Sequence, residues 1–149
     1  MTALVSLSLL VVIVTFVKRH GDEASYLVDP TNVELVAQGK TLYHGHCASC
    51  HGSALEGEPD WRTRRADGKL PAPPHDETGH TWHHRDELLF RMTKEGTAAI
   101  VGDDYQSDMP GFAAVLSDEE IRAVLSFIKS TWPAEIQRRH DERNNQAKR

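Results

Sequence analysis

Cys47-Ala48-Ser49-Cys50-His51 sets two thiols three residues apart, with an imidazole immediately after the second. On a helical turn, that spacing lets both thiols add to the two vinyl groups along one edge of a porphyrin. The histidine then projects beneath the iron as proximal ligand. The pattern is the attachment sequence of a c-type haem, one group held by two thioethers. Chance gives two cysteines this spacing in about one case in a hundred, and a histidine next lowers that to about one in a thousand. Two rival chemistries fit less well. A redox dithiol of thioredoxin type wants a preceding strand, and the residues before Cys47 read as helix. A zinc site could draw on His44, His46 or His51 with both thiols, but no second ligand pair follows at finger spacing.

A six-coordinate iron needs a ligand from its other face. Met92 and Met109 are the internal methionines. Met92 falls on the apolar face of an expected helix, where methionine usually packs. Met109 sits in a loop ahead of Pro110 and Gly111, and a loop can present a thioether from the far side. The expected metal ligands are therefore His51 and Met109, with Met92 or a histidine as the alternatives.

The elements that must carry these groups are helical. Asn32 or Thr31 can cap a helix from Val33 to His46, with Val33, Leu35, Val36, Gly39, Leu42 and Tyr43 at its apolar or close-packing positions. Ser53 to Thr81 is rich in Gly, Pro and charge and reads as loop. A short helix follows from about His84 to Glu95, with Leu88, Leu89 and Met92 on one face and Gly96 as its stop. Residues 97–116 read as loop again. Ser117 and Glu120 then form a capping box, Ile121, Val124, Leu125, Phe127 and Ile128 make a stripe, and Pro133 closes the helix. The polar stretch 134–149 reads as a frayed helical tail or as disorder. The fold class is all-α, and three short helices with such long loops bury too little to close a core alone. Something other than protein must fill the centre.

C-x-x-C-H after one helix and M-P-G-F before another resemble a class I monohaem cytochrome c, over residues 32–133. The resemblance implies three main helices and long loops wrapped around haem c. It also implies that Gly39 and Tyr43 cross Val124, Phe127 and Ile128 at close range. A proline carbonyl, Pro73 or else Pro74, would accept the second ring N–H of His51. PPHDETGHTWHH is similar to a stretch in bacterial cytochromes c tethered by one N-terminal helix, which implies a respiratory or photosynthetic role. His75, His80, His83 and His84 could suggest copper or zinc, but such residues also line a haem edge or bond its propionates, with Trp82 the preferred propionate neighbour. The chain departs from the family in a longer loop before Pro73 and in its charged tail.

Length and charge bound the rest. The 149 residues suffice for one domain. A net charge of −5 argues against nucleic acid as a partner. Residues 21–133 hold nineteen acidic and ten basic side chains, so a docking partner should be basic or meet apolar surface. Asp103, Asp104 and Asp108 form an acidic loop beside Met109, either a docking surface or simply solvated.

Ala3 to Val17 is uncharged, lacks a polar face, and is followed by Lys18, Arg19 and His20. The expected organisation is a transmembrane anchor at 1–19, a linker at 20–31, the haem domain at 32–133 and a basic tail at 134–149. A cleaved signal peptide is the rival, but no small-x-small site follows the run. Lys18 and Arg19 sit on the wrong side for an exported domain. The resemblance overrides them, because it implies haem attachment outside the cytoplasm and so a bacterial inner-membrane protein with a periplasmic haem domain. Such a protein is an electron carrier between redox proteins, not an enzyme, and has no small-molecule substrate. Two alternatives stay open: a haem subunit fixed in a larger oxidoreductase complex, and a five-coordinate haem that binds a gas or peroxide.

Overall fold

Asn32 opens the first helix, its side-chain oxygen accepting the Leu35 N–H at 3.0 Å. A computed structural model of the chain describes residues 26, 28–102 and 104–146. The elements in chain order are α1 (Val33–His46), α2 (Ala48–His51), a 3-10 turn (Thr81–His83), α3 (Asp86–Glu95), α4 (Thr97–Val101), α5 (Asp118–Ser130) and α6 (Ala134–Gln146). No strand occurs among the described residues. None of their helices is long and apolar enough to cross a membrane. The anchor expected at 1–19 lies outside the described residues, as does most of the linker.

The frame is the crossing of α1 and α5. Both halves of the Ser117–Glu120 capping box form, which starts α5 in register for its apolar stripe. Ile121, Ala123, Val124, Leu125, Phe127 and Ile128 are buried. Gly39 lets the two backbones touch: a Cβ there would strike the Ala123 carbonyl and the Cβ of Phe127. One turn on, Tyr43 is fully buried, its ring 5.5 Å from that of Phe127. Val33, expected on the packed side, is 74% exposed, because the crossing begins further along α1. The N-terminal segment is tied to the frame by Val28 in the core, by Asp29 N–H donating to Ser126 Oγ at 3.0 Å, and by Tyr26 edge-on to Phe90.

Three expectations are corrected. The helix expected from about His84 is α3, which begins at Asp86, and its anchors are Phe90 and Thr93, with Leu88, Leu89 and Met92 only half-buried. The loop expected after Gly96 contains a one-turn helix, α4. The largest difference is at the C-terminus, where residues 134–146 form a docked helix rather than a frayed or disordered tail. Pro133 cannot continue α5 but suits the start of α6, where its carbonyl accepts Gln137 N–H.

Ile136 is the apolar side chain of α6 that packs against the core, and the other described contacts of the helix are mostly polar, so no apolar stripe announces them. Asn144 accepts the Asp86 N–H at 2.9 Å and donates to Asp86 Oδ2, capping α3, whose own N-cap residue Arg85 makes no side-chain cap. Lys129, buried on α5, pairs with Asp141 at 2.6 Å. His140 is fully buried, donating from Nε2 to the His84 carbonyl at 2.9 Å and lying edge-on to Trp132.

Two predictions follow from this packing. Gly39→Ala forces α1 away from α5 and should cost on the order of 3 kcal/mol, read as a lowered denaturant midpoint. Burial, and next the nearby Lys129, lower the His140 pKa to about 4. The unfolded chain therefore takes up a proton near pH 6.5 that the folded chain refuses until about pH 4. Stability should fall as pH drops through that window, and His140→Gln, which keeps a donor for His84, should flatten the fall in pH-resolved unfolding curves.

Candidate functional site

Cys47 ends α1, and its carbonyl accepts the N–H groups of Cys50 and His51 at 3.1 and 2.9 Å. Both thiols and the imidazole thus rise from one helical turn. Cys47 is half-buried and Cys50 exposed, and neither is in a disulfide. Burial pushes the Cys47 thiol up to about 11, so it is no activated thiolate of the kind a redox dithiol uses. Tyr43 anchors the far end of the turn, donating to the Gly52 carbonyl at 2.9 Å. Burial raises its pKa further, keeping the phenol a donor.

His51 is 7% exposed, and its Nδ1 lies 2.8 Å from the Pro73 carbonyl. A carbonyl only accepts, so Nδ1 carries the proton and Nε2 the lone pair. Burial lowers the His51 pKa, opposed in part by the bond to Pro73, and the ring is held neutral as a metal ligand must be.

The loop delivers Pro73 through a backbone sandwich. Gly57 N–H donates to the His51 carbonyl and Glu58 N–H to the Ala72 carbonyl, both at 2.8 Å. Gly57, at φ 68°, packs so close to Pro73 and Pro74 that a Cβ would strike them. Glu58 also accepts Ala72 N–H and a two-pronged bond from Arg65 at 2.6 and 2.7 Å. Arg65 reaches on to Asp108, which also pairs with Lys69. Those two cations hold the Asp108 carboxyl below its usual range, Lys69 foremost. Asp108 is therefore a tie between the two long loops; Asp103 lies outside the described residues.

Met109 follows that tie, half-buried, its N–H on Ser107 Oγ and its Sδ accepting a bond from the Thr97 hydroxyl at 3.3 Å. Downstream, Phe112 and Ala113 N–H groups bond the carbonyls of Thr93 and Lys94, clamping the loop to the end of α3. Trp82 is half-buried and packs against the core. Its indole N–H donates to the Glu77 carbonyl at 3.3 Å, and the ring borders a groove with Arg139, Glu142 and Arg143 of α6. His80 stacks on Trp61, and no group of three or more metal-binding side chains occurs among the described residues.

The family model for Cytochrome c matches residues 36–132. The chain is a cytochrome c. No curated protein and no solved structure matches it. Membership of the cytochrome c family implies covalently bound haem c and electron transfer. The residues present fit that group: two thiols without a disulfide on one turn, and a neutral imidazole whose Nδ1 is already committed to a carbonyl.

His75, expected to line a haem edge or bond a propionate, stacks on His51 with ring centroids 4.0 Å apart. One neighbour of the cytochrome c site escaped sequence reasoning: Thr97, which donates to Met109. Thr97 carries no signal, because only the fold of α4 against the Met109 loop brings it there. With Met109 as the expected iron ligand, a hydroxyl bonded to its thioether would withdraw electron density from the sulfur and weaken it as a donor to ferric iron. Thr97→Val should therefore lower the reduction potential, with Thr97→Ser close to wild type, as voltammetry would register.

Proposed function

We propose that this cytochrome c is a membrane-tethered monohaem carrier, passing single electrons between redox proteins in a bacterial respiratory or photosynthetic chain. The observation that carries the haem reading is the His51–Pro73 bond beside two thiols on one turn. Haem c would be held by Cys47 and Cys50 and ligated by His51 and Met109, and it supplies one reversible electron. The Pro73 carbonyl fixes the His51 tautomer and raises its basicity. The ion pairs of Arg65 and Lys69 with Asp108 hold the loop that presents the Met109 thioether. A thioether ligand favours the reduced state relative to a second imidazole.

The uncharged run Ala3–Val17 supports the tether, and the chemistry of haem attachment supports a periplasmic domain. One observation favours a second reading, a haem subunit fixed within a larger oxidoreductase. The C-terminal segment forms helix α6 as far as Gln146, and it lays Arg143 beside Arg85, His83 and His84 along a groove of about 360 Å³. A surface so constructed suits a standing acidic neighbour. Co-purification of stoichiometric partners in mild detergent would select that reading.

Optical spectra of ferric and ferrous protein test the ligand set. Wild type should show a c-type haem with the weak long-wavelength band of a Met–Fe(III) bond, and should not bind CO rapidly when reduced. Met109→Ala should lose the band and gain CO binding. A band that survives in that variant would overturn Met109 as ligand.

A further inference from the structure

Pro73 and Pro74 present consecutive carbonyls, and each holds an imidazole in place. The first accepts Nδ1–H of His51 at 2.8 Å. The second accepts the Thr81 hydroxyl at 3.4 Å, and Thr81 Oγ1 lies 2.8 Å from Nδ1 of His75. The 2.8 Å bond between Thr81 Oγ1 and His75 Nδ1 holds the His75 ring whichever of the two atoms carries the proton. The His75 and His51 rings then lie face to face, 4.0 Å apart and 24° from parallel.

His75 is itself fixed from three more directions. Its N–H donates to the Leu55 carbonyl at 2.8 Å, its carbonyl accepts the Trp132 indole N–H at 2.7 Å, and Tyr43 meets its ring edge-on at 6.3 Å. Leu55 is held at φ 66°, a conformation that side chains other than glycine rarely adopt. Such strain persists only where the surroundings enforce it. A ring that merely filled space beside His51 would need none of these bonds.

The hydrogen bond from Nδ1 to Pro73 fixes one point of the His51 ring and leaves tilt about that bond free. A flat neighbour at stacking distance removes the tilt. We propose that His75 is a positioning residue for His51, setting the plane in which the ligand imidazole presents Nε2. This rests on the reading of His51 as the proximal haem ligand.

The test uses the full-length haem-loaded protein with His75→Leu, His75→Phe and Thr81→Val. The readouts are the spread of haem methyl resonances in the ferric NMR spectrum, which follows the axial imidazole plane, and the reduction potential. His75→Leu should change the methyl pattern most and shift the potential. Thr81→Val, which frees the His75 ring without removing it, should change the pattern less. His75→Phe, which keeps a flat face, should stay nearest to wild type. Wild-type methyl patterns and potentials in His75→Leu, with only a lower melting temperature, would overturn the proposal and leave His75 as packing. If His75→Leu does not accumulate loaded protein, an unchanged pattern in Thr81→Val overturns it equally. Wild-type protein without covalent haem would overturn this inference and the haem reading together, whereas a loaded wild type with silent variants removes this inference alone.

Discussion

At Gly39 the backbone of α1 rests on the backbone of α5, with no side chain between them. Every other placement in the domain is referred to that contact. It sets Tyr43 against Phe127, and Tyr43 in turn bonds the carbonyl of Gly52 at the far end of the cysteine turn. The orientation of the two thiols and of His51 is thus inherited from a helix crossing some two turns earlier. A larger residue at position 39 would separate the helices and tip the whole attachment turn with them.

Elsewhere the polypeptide compensates for a small apolar core with polar ties. The long loop from Gly52 to His80 has no helix or strand, yet bonds from Gly57, Glu58 and His75 stitch it to the haem motif and to itself. Exposed ion pairs are individually worth little. Those of Arg65 with Glu58 and Asp108 matter through geometry, because they join the loop carrying Pro73 to the loop carrying Met109. Both expected iron ligands, His51 and Met109, are then tied into one connected network. That connection lets loops of this length hold ligands at fixed positions, where free loops would only sample them.

What the sequence made legible follows from how local each signal is. C-x-x-C-H, the Asn32 cap and the Ser117–Glu120 box act within one turn, so residue identity and spacing were sufficient. The pairing of Gly39 with α5, and of Pro73 with His51, needed the family resemblance, because nothing local connects residues so far apart. A helical tail was one of the two readings of residues 134–149, but the docking of α6 was missed for a physical reason. Beside Ile136 it docks through His140, Asp141 and Asn144, and a search for apolar periodicity reads such residues as solvent-facing. Thr97 was likewise invisible, since a hydroxyl bonded to sulfur leaves no pattern along the chain.

The C-terminal helix also changes what kind of object the haem domain is. The family match ends at residue 132, and α6 begins two residues later. Trp132 lies at that junction, edge-on to His140 on one side and donating to the His75 carbonyl on the other. Through it the added helix is mechanically continuous with the ring stacked on His51. Asn144 meanwhile caps α3, whose far end clamps the Met109 loop. One appended helix therefore touches the supports of both expected iron ligands while adding arginines to an acidic chain. Displacing α6 would loosen the Asn144 cap on α3 and the Trp132 junction behind His75 together, two supports that stand behind the expected ligands Met109 and His51.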